Sequence, residues 1–268
     1  MKKYLSAVAI IKNESKYILE WLAFHYLVGV EQFFLFDNNS NDNLKEKLKQ
    51  FPIPDIIQYF FWPEHPGQYS AYQYVIDNLK DKTHWCAFID IDEFLFSNEN
   101  DNLKKILEDY DRTDISALAA HWLIFGSSGH KFRPPGLCID EFTKRAPDDF
   151  PMHNHPKSIV KLEEVIKPAN CHLFFTKNFT VNERKIQLNP VELPEEWSYE
   201  RIRINHYFFK SYEEWKIKQR RGRADLDIDH ENFYRKIEEF DLHNRNDIED
   251  KSATRYSNAI LKLLDGNL

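Results

Sequence analysis

Short apolar runs separated by polar clusters set the pattern of the first hundred residues. Residues 5–11 form an apolar, β-branched run of a length that suits a buried strand. Ser15 is placed to cap a helix in which Ile18, Trp21, Leu22, His25 and Val28 share one face. Gly29 stands where a glycine commonly ends such a helix. Residues 32–36 read as the next strand and close on Asp37-Asn38-Asn39-Ser40-Asn41-Asp42, a turn-forming cluster. A helix near 43–50, a strand near 56–61, a helix over 68–79 and a strand over 84–89 follow. Strands alternating with helices predict an α/β fold, a Rossmann-like, mainly parallel sheet flanked by helices.

The second half is less regular. Residues 115–125 are a long apolar run, 126–136 a loop rich in Gly, Ser and Pro, and 158–162 and 201–207 read as strands. Ser211 with Glu214 makes a capping box for a further helix. Beyond it the chain is charged and reads as mostly helical, with amphipathic spacing at Tyr256, Ile260, Leu263 and Leu264 that suits packing or dimerisation better than a membrane. No repeat or low-complexity linker interrupts the chain. The expected division is residues 1–225 as the main domain and 226–268 as a helical C-terminal tail packed on it. Ligands of such sheets bind beyond the carboxyl ends of the strands. Three predicted strands end in polar residues there: Lys12-Asn13-Glu14, Asp37-Asn38-Asn39 and Asp90-Ile91-Asp92.

Composition narrows the picture. At 268 residues there is length for a full core. Aromatic residues are many, at 15%, and supply stacking surfaces as well as core. The net charge of −7 argues against general nucleic-acid binding. No apolar run approaches the ~20 residues that span a bilayer, and Lys12, Asn13 and Glu14 interrupt the start too early for a signal peptide. Cys86, Cys138 and Cys171 are widely spaced and odd in number, which suits a reducing cytoplasm and gives neither a disulfide framework nor a zinc site. The expected location is the cytoplasm, with peripheral contact at the inner face of a membrane and oligomerisation left open.

The most informative stretch is HWCAFIDIDEFLF, residues 84–96, where three carboxylates sit between apolar runs. On an extended backbone Asp90 and Asp92 face the same side. Converging carboxylates repel unless a cation lies between them or one is protonated. A hard divalent ion, Mg²⁺ or Mn²⁺, meets that need with few protein ligands. The plain alternative is a strand end capped by solvated aspartates. The flanking core weighs against it, since a buried carboxylate without a partner is costly.

AIIKNESKYILEWLAFHYLVGVEQFFLFDNNSND, followed by WCAFIDIDEFLF, resembles the family 2-like glycosyltransferases of the GT-A fold, and most closely glycosyltransferase family 92. HWLIFGSSGH (121–130), EFTKRA (141–146), HPKSIVKLEEV (155–165) and INHYFFKSYEEWKIKQRRGRAD (204–225) extend the resemblance over about 5–225. It implies sugar transfer, with inversion, from a nucleotide-sugar donor to a glycan acceptor, with Mn²⁺ or Mg²⁺ on the diphosphate. Carried over by position, Glu14 would contact the base and Asp37 the uracil or ribose. Asp90 would approach ribose and the hydrated metal, Asp92 would ligate the metal, and His206 would be a late ligand. A base must deprotonate the acceptor hydroxyl; Glu141 is preferred, with Asp140 second. The expected reaction moves galactose or glucose from a UDP-sugar to a surface glycan such as lipopolysaccharide. A metal-dependent hydrolase or phosphotransferase, or a non-catalytic binding module, is the alternative.

Other residues carry two readings each. His25 on the first helix reads as a core histidine. Gln68, with Tyr69 and Tyr72, either packs its helix or touches the donor. Trp122 and Phe125 stack on a sugar or fill the core. Arg145 contacts phosphate or acceptor, or forms a surface ion pair. The run containing Lys218, Arg220, Arg221 and Arg223 is ordinarily a solvated helix face, with phosphate binding by Lys218 and Arg221 as the functional reading. Lys157 reads as solvent-exposed.

Overall fold

A computed structural model describes residues 1–111 and 114–267. The early runs become β1 (Lys3–Ile11), β2 (Gln32–Asp37), β3 (Ile57–Phe61) and β4 (Thr83–Phe88), with α1 (Ile18–Leu27), α2 (Leu44–Leu48) and α3 (Gln68–Asn78) between them. All four strands are parallel, with β1 between β2 and β4. Alternate residues of β1 serve two cores. Leu5, Ala7, Ala9 and Ile11 face the cluster that holds α1, whereas Val8 faces the one that holds α3. A sheet covered on both faces explains why its strands read as unbroken apolar runs. In α1, Trp21, Leu22 and Phe24 are fully buried, each contributing about 1.5–3 kcal/mol.

The local signals held unevenly. Ser15 does not cap α1, which starts at Ile18; the Ser15 N–H instead donates to Asp42 at 2.8 Å. Gly29 follows α1 at φ +106°, and a Cβ there would lie 2.5 Å from Asn102 Oδ1. His25 is a core histidine. Its Nε2 accepts from the Leu95 N–H (3.1 Å), so Nδ1 carries the proton toward Trp21 O (2.8 Å), and burial pushes its pKa down to about 3.

Beyond β4 the chain turns through 89–92 and continues as β5 (Glu93–Ser97) and α4 (Leu103–Leu107). Then come β6 (Ile115–Ile124), α5 (Cys138–Glu141), β7 (Lys144–Arg145), β8 (Pro156–Lys161), β9 (Val165–Pro168), β10 (Phe174–Thr176), β11 (Phe179–Asn182) and β12 (Ile202–His206). Among the described residues, nine strands form one sheet along the path β3-β2-β1-β4-β8-β6-β12-β5, with β11 beside β6. Within it only β4–β8, β8–β6 and β12–β5 are antiparallel. The sheet is mixed but mainly parallel, with helices against it, as the alternating pattern predicts.

The Ser211–Glu214 capping box opens α6 (Tyr212–Arg221). Regular helix then stops. Residues 222–237 run as turns before α7 (Glu238–His243), β13 (Ile248–Glu249) and α8 (Ser257–Leu264). The tail is therefore less helical than its composition suggests. Ile260 and Leu263 are buried, and the Tyr256 ring meets Phe24 of α1 edge-on at 4.9 Å. β13 pairs antiparallel with β7. Just beyond it, Asp250 accepts from Arg203 of β12 (2.6 Å) and Arg145 of β7 (2.9 Å), all three largely buried.

Burial alone raises the Asp250 carboxyl, but Arg203 beside it and hydrogen bonds from Ser252 hold it far below the usual carboxylate range. A depressed folded pKa gives stability that is complete above the unfolded value and is lost as pH falls below ~4. Asp250→Asn should therefore lower unfolding free energy by about 3–5 kcal/mol at pH 7 and flatten the acid limb below pH ~4 in urea titrations. An unchanged profile would contradict this pairing.

Candidate active site

Strand register builds the site. β1 and β4 run parallel, so Ile11-Lys12 and the turn after Phe88 emerge at the same edge. That turn is not the extended segment that Asp90 and Asp92 were expected to share. The Glu93 N–H donates to Asp90 O (3.1 Å), and the Trp21 indole N–H of α1 lies within reach of both Asp90 O (3.0 Å) and Glu93 O (2.9 Å). The two side chains consequently take different partners. On the other side, β12 pairs with β5 so that His206 stands opposite Glu93, and the Tyr207 N–H donates to Asp92 O (2.8 Å). A cavity of about 350 Å³ opens where these ends meet, walled by Glu14, Gln68, Asp90, Asp92, His206, Lys218 and Arg221 among others.

Glu14, Asp90 and Asp92 each have a cation from a distant part of the chain. Asp90 holds Lys157 at 2.8 Å, a lysine 1% exposed that also lies 3.7 Å from Glu93. Asp92 holds Lys218 of α6 at 2.5 Å. Glu14 holds Arg221 at 2.5 Å and Lys210 at 3.3 Å. Burial alone raises the Asp92 carboxyl, but Lys218 and then His206 hold it well below the usual range. Burial alone likewise raises Glu14, and Lys210 and Arg221 reverse it to a net fall. Glu93 is the exception: burial lifts it well above the ordinary range despite Lys157, and its Oε2 accepts the Asp90 N–H at 2.9 Å. Lys157 is thus the counterion of Asp90: burial, the largest effect, opposes its charge, and Asp90 with Glu93 and smaller neighbours together keep its pKa well above the ordinary value.

Of the three expected metal ligands, two face each other. Asp92 Oδ1 and His206 Nε2 lie 3.6 Å apart, too far for a hydrogen bond. Neighbouring ligands of an octahedral ion, each ~2.1 Å from it, stand ~3.0 Å apart, so this pair would close by roughly half an ångström to share one. Burial keeps the imidazole pKa below its ordinary value, with Asp92 opposing, so the neutral ring is available as a ligand. Asp90 is turned to Lys157 instead, and among the described residues no three His, Cys, Asp or Glu side chains converge on one point. The residues fit a two-ligand seat, in which a bound divalent ion would leave its other positions to water or substrate oxygens.

Four expected residues lie off the cavity. Asp37 ends β2 level with Ile11, but its oxygens accept from the Ser40 N–H (2.8 Å) and the Tyr59 hydroxyl (2.6 Å); neighbouring Asn38 lines the wall. Glu141 folds back onto the Gly136 N–H (3.2 Å) and Asp140 accepts from the Ser257 hydroxyl, so neither expected base faces the cavity. The cause lies in α1, where buried Glu20 accepts the Cys138 and Ile139 N–H groups (2.8 and 3.0 Å) and pins the start of α5. Arg145 is bound to Asp250 and Asp148.

Sequence reasoning missed Lys210 and Arg235, and read Lys157 as exposed. Lys157 left a usable signal, since a lysine inside an apolar strand demands an acid. Trp122 stacks on His155 (5.2 Å, 10°) and meets His206 at 4.2 Å, forming an aromatic wall of the cavity. Lys157→Met should lower unfolding free energy by about 3–5 kcal/mol. Glu93→Gln keeps the acceptor for the Asp90 N–H and should cost about 1 kcal/mol. Equal losses for both variants in urea denaturation would contradict this assignment of charges.

Comparison with known proteins bears on the family of the chain. The profile described as Glycosyltransferase family 92 matches residues 2–258. A family 92 protein of Oryza sativa subsp. japonica is 27% identical over 213 residues, which is 78% of this chain and 34% of that protein. One from Ricinus communis is 26% identical over 58% of this chain and 28% of its own length. The chain thus spans about a third or less of these curated relatives. A crystal structure from Bacillus anthracis, described as a glucose-1-phosphate thymidylyltransferase with a sucrose, aligns at TM-score 0.33 and 8% identity over 59% of this chain and 69% of its own, too weak to carry an argument. With a match over nearly its whole length, the chain belongs to glycosyltransferase family 92.

Proposed function

We propose that this family member moves a hexose, galactose or glucose, from a UDP-sugar to a glycan hydroxyl with inversion. The observation that carries the proposal is the pairing of Asp92 and His206 beside Lys218 and Arg221 in a cavity at the carboxyl edge of the sheet. Asp92 and His206 are the residues to hold Mn²⁺ or Mg²⁺, and an imidazole ligand favours Mn²⁺. Such an ion, when bound, supplies Lewis-acid stabilisation of charge on the leaving diphosphate. Lys218 and Arg221 add fixed positive charge on the same wall, where a low dielectric strengthens it. Glu14 positions Arg221 and Lys210 through two ion pairs. Trp122 gives an apolar face of the kind a sugar ring packs on.

Inversion needs a base at the acceptor hydroxyl. Glu14, Asp90, Asp92 and Asp225 each hold a cation. Glu239 lines the cavity, accepts the Lys236 N–H through Oε1 at 2.8 Å and has no ion-pair partner among the described residues. It replaces Glu141 and Asp140 as the proposed base. Among the described residues no helix is long and apolar enough to cross a membrane. The named relatives are plant proteins, and lipopolysaccharide as acceptor is not part of the proposal.

Asp92→Asn and His206→Ala should each lower transfer from UDP-galactose or UDP-glucose by roughly a hundredfold or more, with circular dichroism unchanged. Turnover at the wild-type rate, or donor loss indifferent to every glycan acceptor, would contradict the transferase reading.

A further inference from the structure

The large sheet has two edges, and the chain treats them differently. At one end β5 is closed. Its Leu95 N–H donates to His25 Nε2 (3.1 Å), Ser97 O accepts from Arg255 (2.6 Å), and every residue of the strand is buried. At the other end β3 has β2 as its one strand neighbour among the described residues. The Trp62 N–H donates to Asp37 O (2.8 Å). Alternation along the strand therefore turns the backbone groups of Gln58 and Phe60 toward β2, and those of Ile57, Tyr59 and Phe61 outward. The Ile57 N–H is taken by Pro54 O. Among the described residues, nothing pairs with the Ile57 O or with the N–H and O of Tyr59 and Phe61.

An open strand edge is a template for pairing with another chain, and proteins ordinarily blunt it with charge, proline or a bulge. Ile57-Gln58-Tyr59-Phe60-Phe61 has none of these, and its register with β2 is unbroken. Side chains at 57, 59 and 61 share one face of the strand. Ile57 and Tyr59 line a pocket of about 180 Å³ with Lys45, Leu48, Lys49 and Pro54. Phe61, at the far end of the strand, stands 59% exposed. One edge thus carries both a hollow and a free aromatic ring.

We propose that β3 pairs antiparallel with β3 of a second copy of this chain, about a two-fold axis at Tyr59. That axis sets Ile57 opposite the partner's Phe61 and Gln58 opposite the partner's Phe60. The two Tyr59 residues exchange N–H···O bonds, and each Phe61 N–H meets the Ile57 O that faces it. Each Phe61 ring then arrives at the hollow beside the opposing Ile57. Lys45, whose Nζ lies 5.5 Å from the Tyr59 ring centroid, stands at its rim as a cation for an entering ring. The contact is self-complementary, as an isologous interface requires. A foreign strand would use the backbone edge alone; a second copy also supplies the ring that each hollow takes.

Sedimentation equilibrium of the full chain over a range of concentrations tests it. Wild type should be a reversible dimer. Phe61→Lys, which sets a lysine against Lys45 and Lys49, should weaken association by roughly tenfold or more with circular dichroism unchanged, since Phe61 is exposed. Cysteine cross-linking reads the register. An oxidised mixture of Ile57→Cys and Phe61→Cys should give a disulfide-linked dimer, because directly opposed α-carbons lie ~5.5 Å apart. Either variant alone should link no more than wild type, since like residues are then offset by ~13 Å along the strands. A monomer at every concentration overturns the proposal and leaves the edge to a foreign strand. A dimer indifferent to Phe61→Lys, or linkage in Phe61→Cys alone and not in the mixture, overturns it as well.

Discussion

Charge compensation across long sequence separations is the constraint on which this structure depends. The ends of β1 and β4 bring Glu14, Asp90 and Asp92 to one edge, and an isolated carboxylate taken out of water there would carry a penalty of several kcal/mol. Every one of them is matched by a base from the second half of the chain: Lys157 on β8, Lys210 after β12, and Lys218 and Arg221 on α6. The acids and bases are meaningless apart. Folding assembles the binding cavity in the same step that neutralises these groups, so catalytic geometry and native stability draw on the same contacts.

Two consequences follow for function. The cavity mixes acids with their bases, and in it Asp92 Oδ1 and His206 Nε2 face each other across 3.6 Å, a gap wider than a hydrogen bond. Chain beyond α6 is also part of the wall, because Arg223, Asp225, Arg235, Glu239 and His243 all line it. Hydrogen bonds from the start of α3 to Ala224 and the Asp250 ion pairs to β7 and β12 hold that stretch against the sheet.

Much of this was legible in residue order. Period and turn chemistry located β1 to β4, and the three polar strand ends pointed at the edge where the cavity opens. The Asp90-Ile91-Asp92 stretch and His206 led to the centre of the cavity. What sequence could not supply was tertiary in origin. Nothing local reveals that Trp21 fastens a turn at 90–93; an extended backbone would put Asp90 and Asp92 on one side, whereas in the turn Asp90 meets Lys157 and Asp92 meets Lys218. Glu141 and Asp140 follow a loop that looks acceptor-facing, yet buried Glu20, 118 residues from Cys138, turns α5 elsewhere. Asp37 sits at the expected strand end, but Tyr59 and Ser40 occupy it. Lys157 and Arg235 resemble surface cations until their surroundings are known. Local pattern located the edge of the sheet; the partner of each charge depended on register between strands distant in sequence.

The most direct measurement is anomalous diffraction at the manganese edge from crystals grown with UDP and MnCl₂. A manganese peak between Asp92 Oδ1 and His206 Nε2, with the diphosphate running from it toward Lys218, is the expected result. A peak at any other position, or UDP bound outside this cavity, would contradict the assignment of the site.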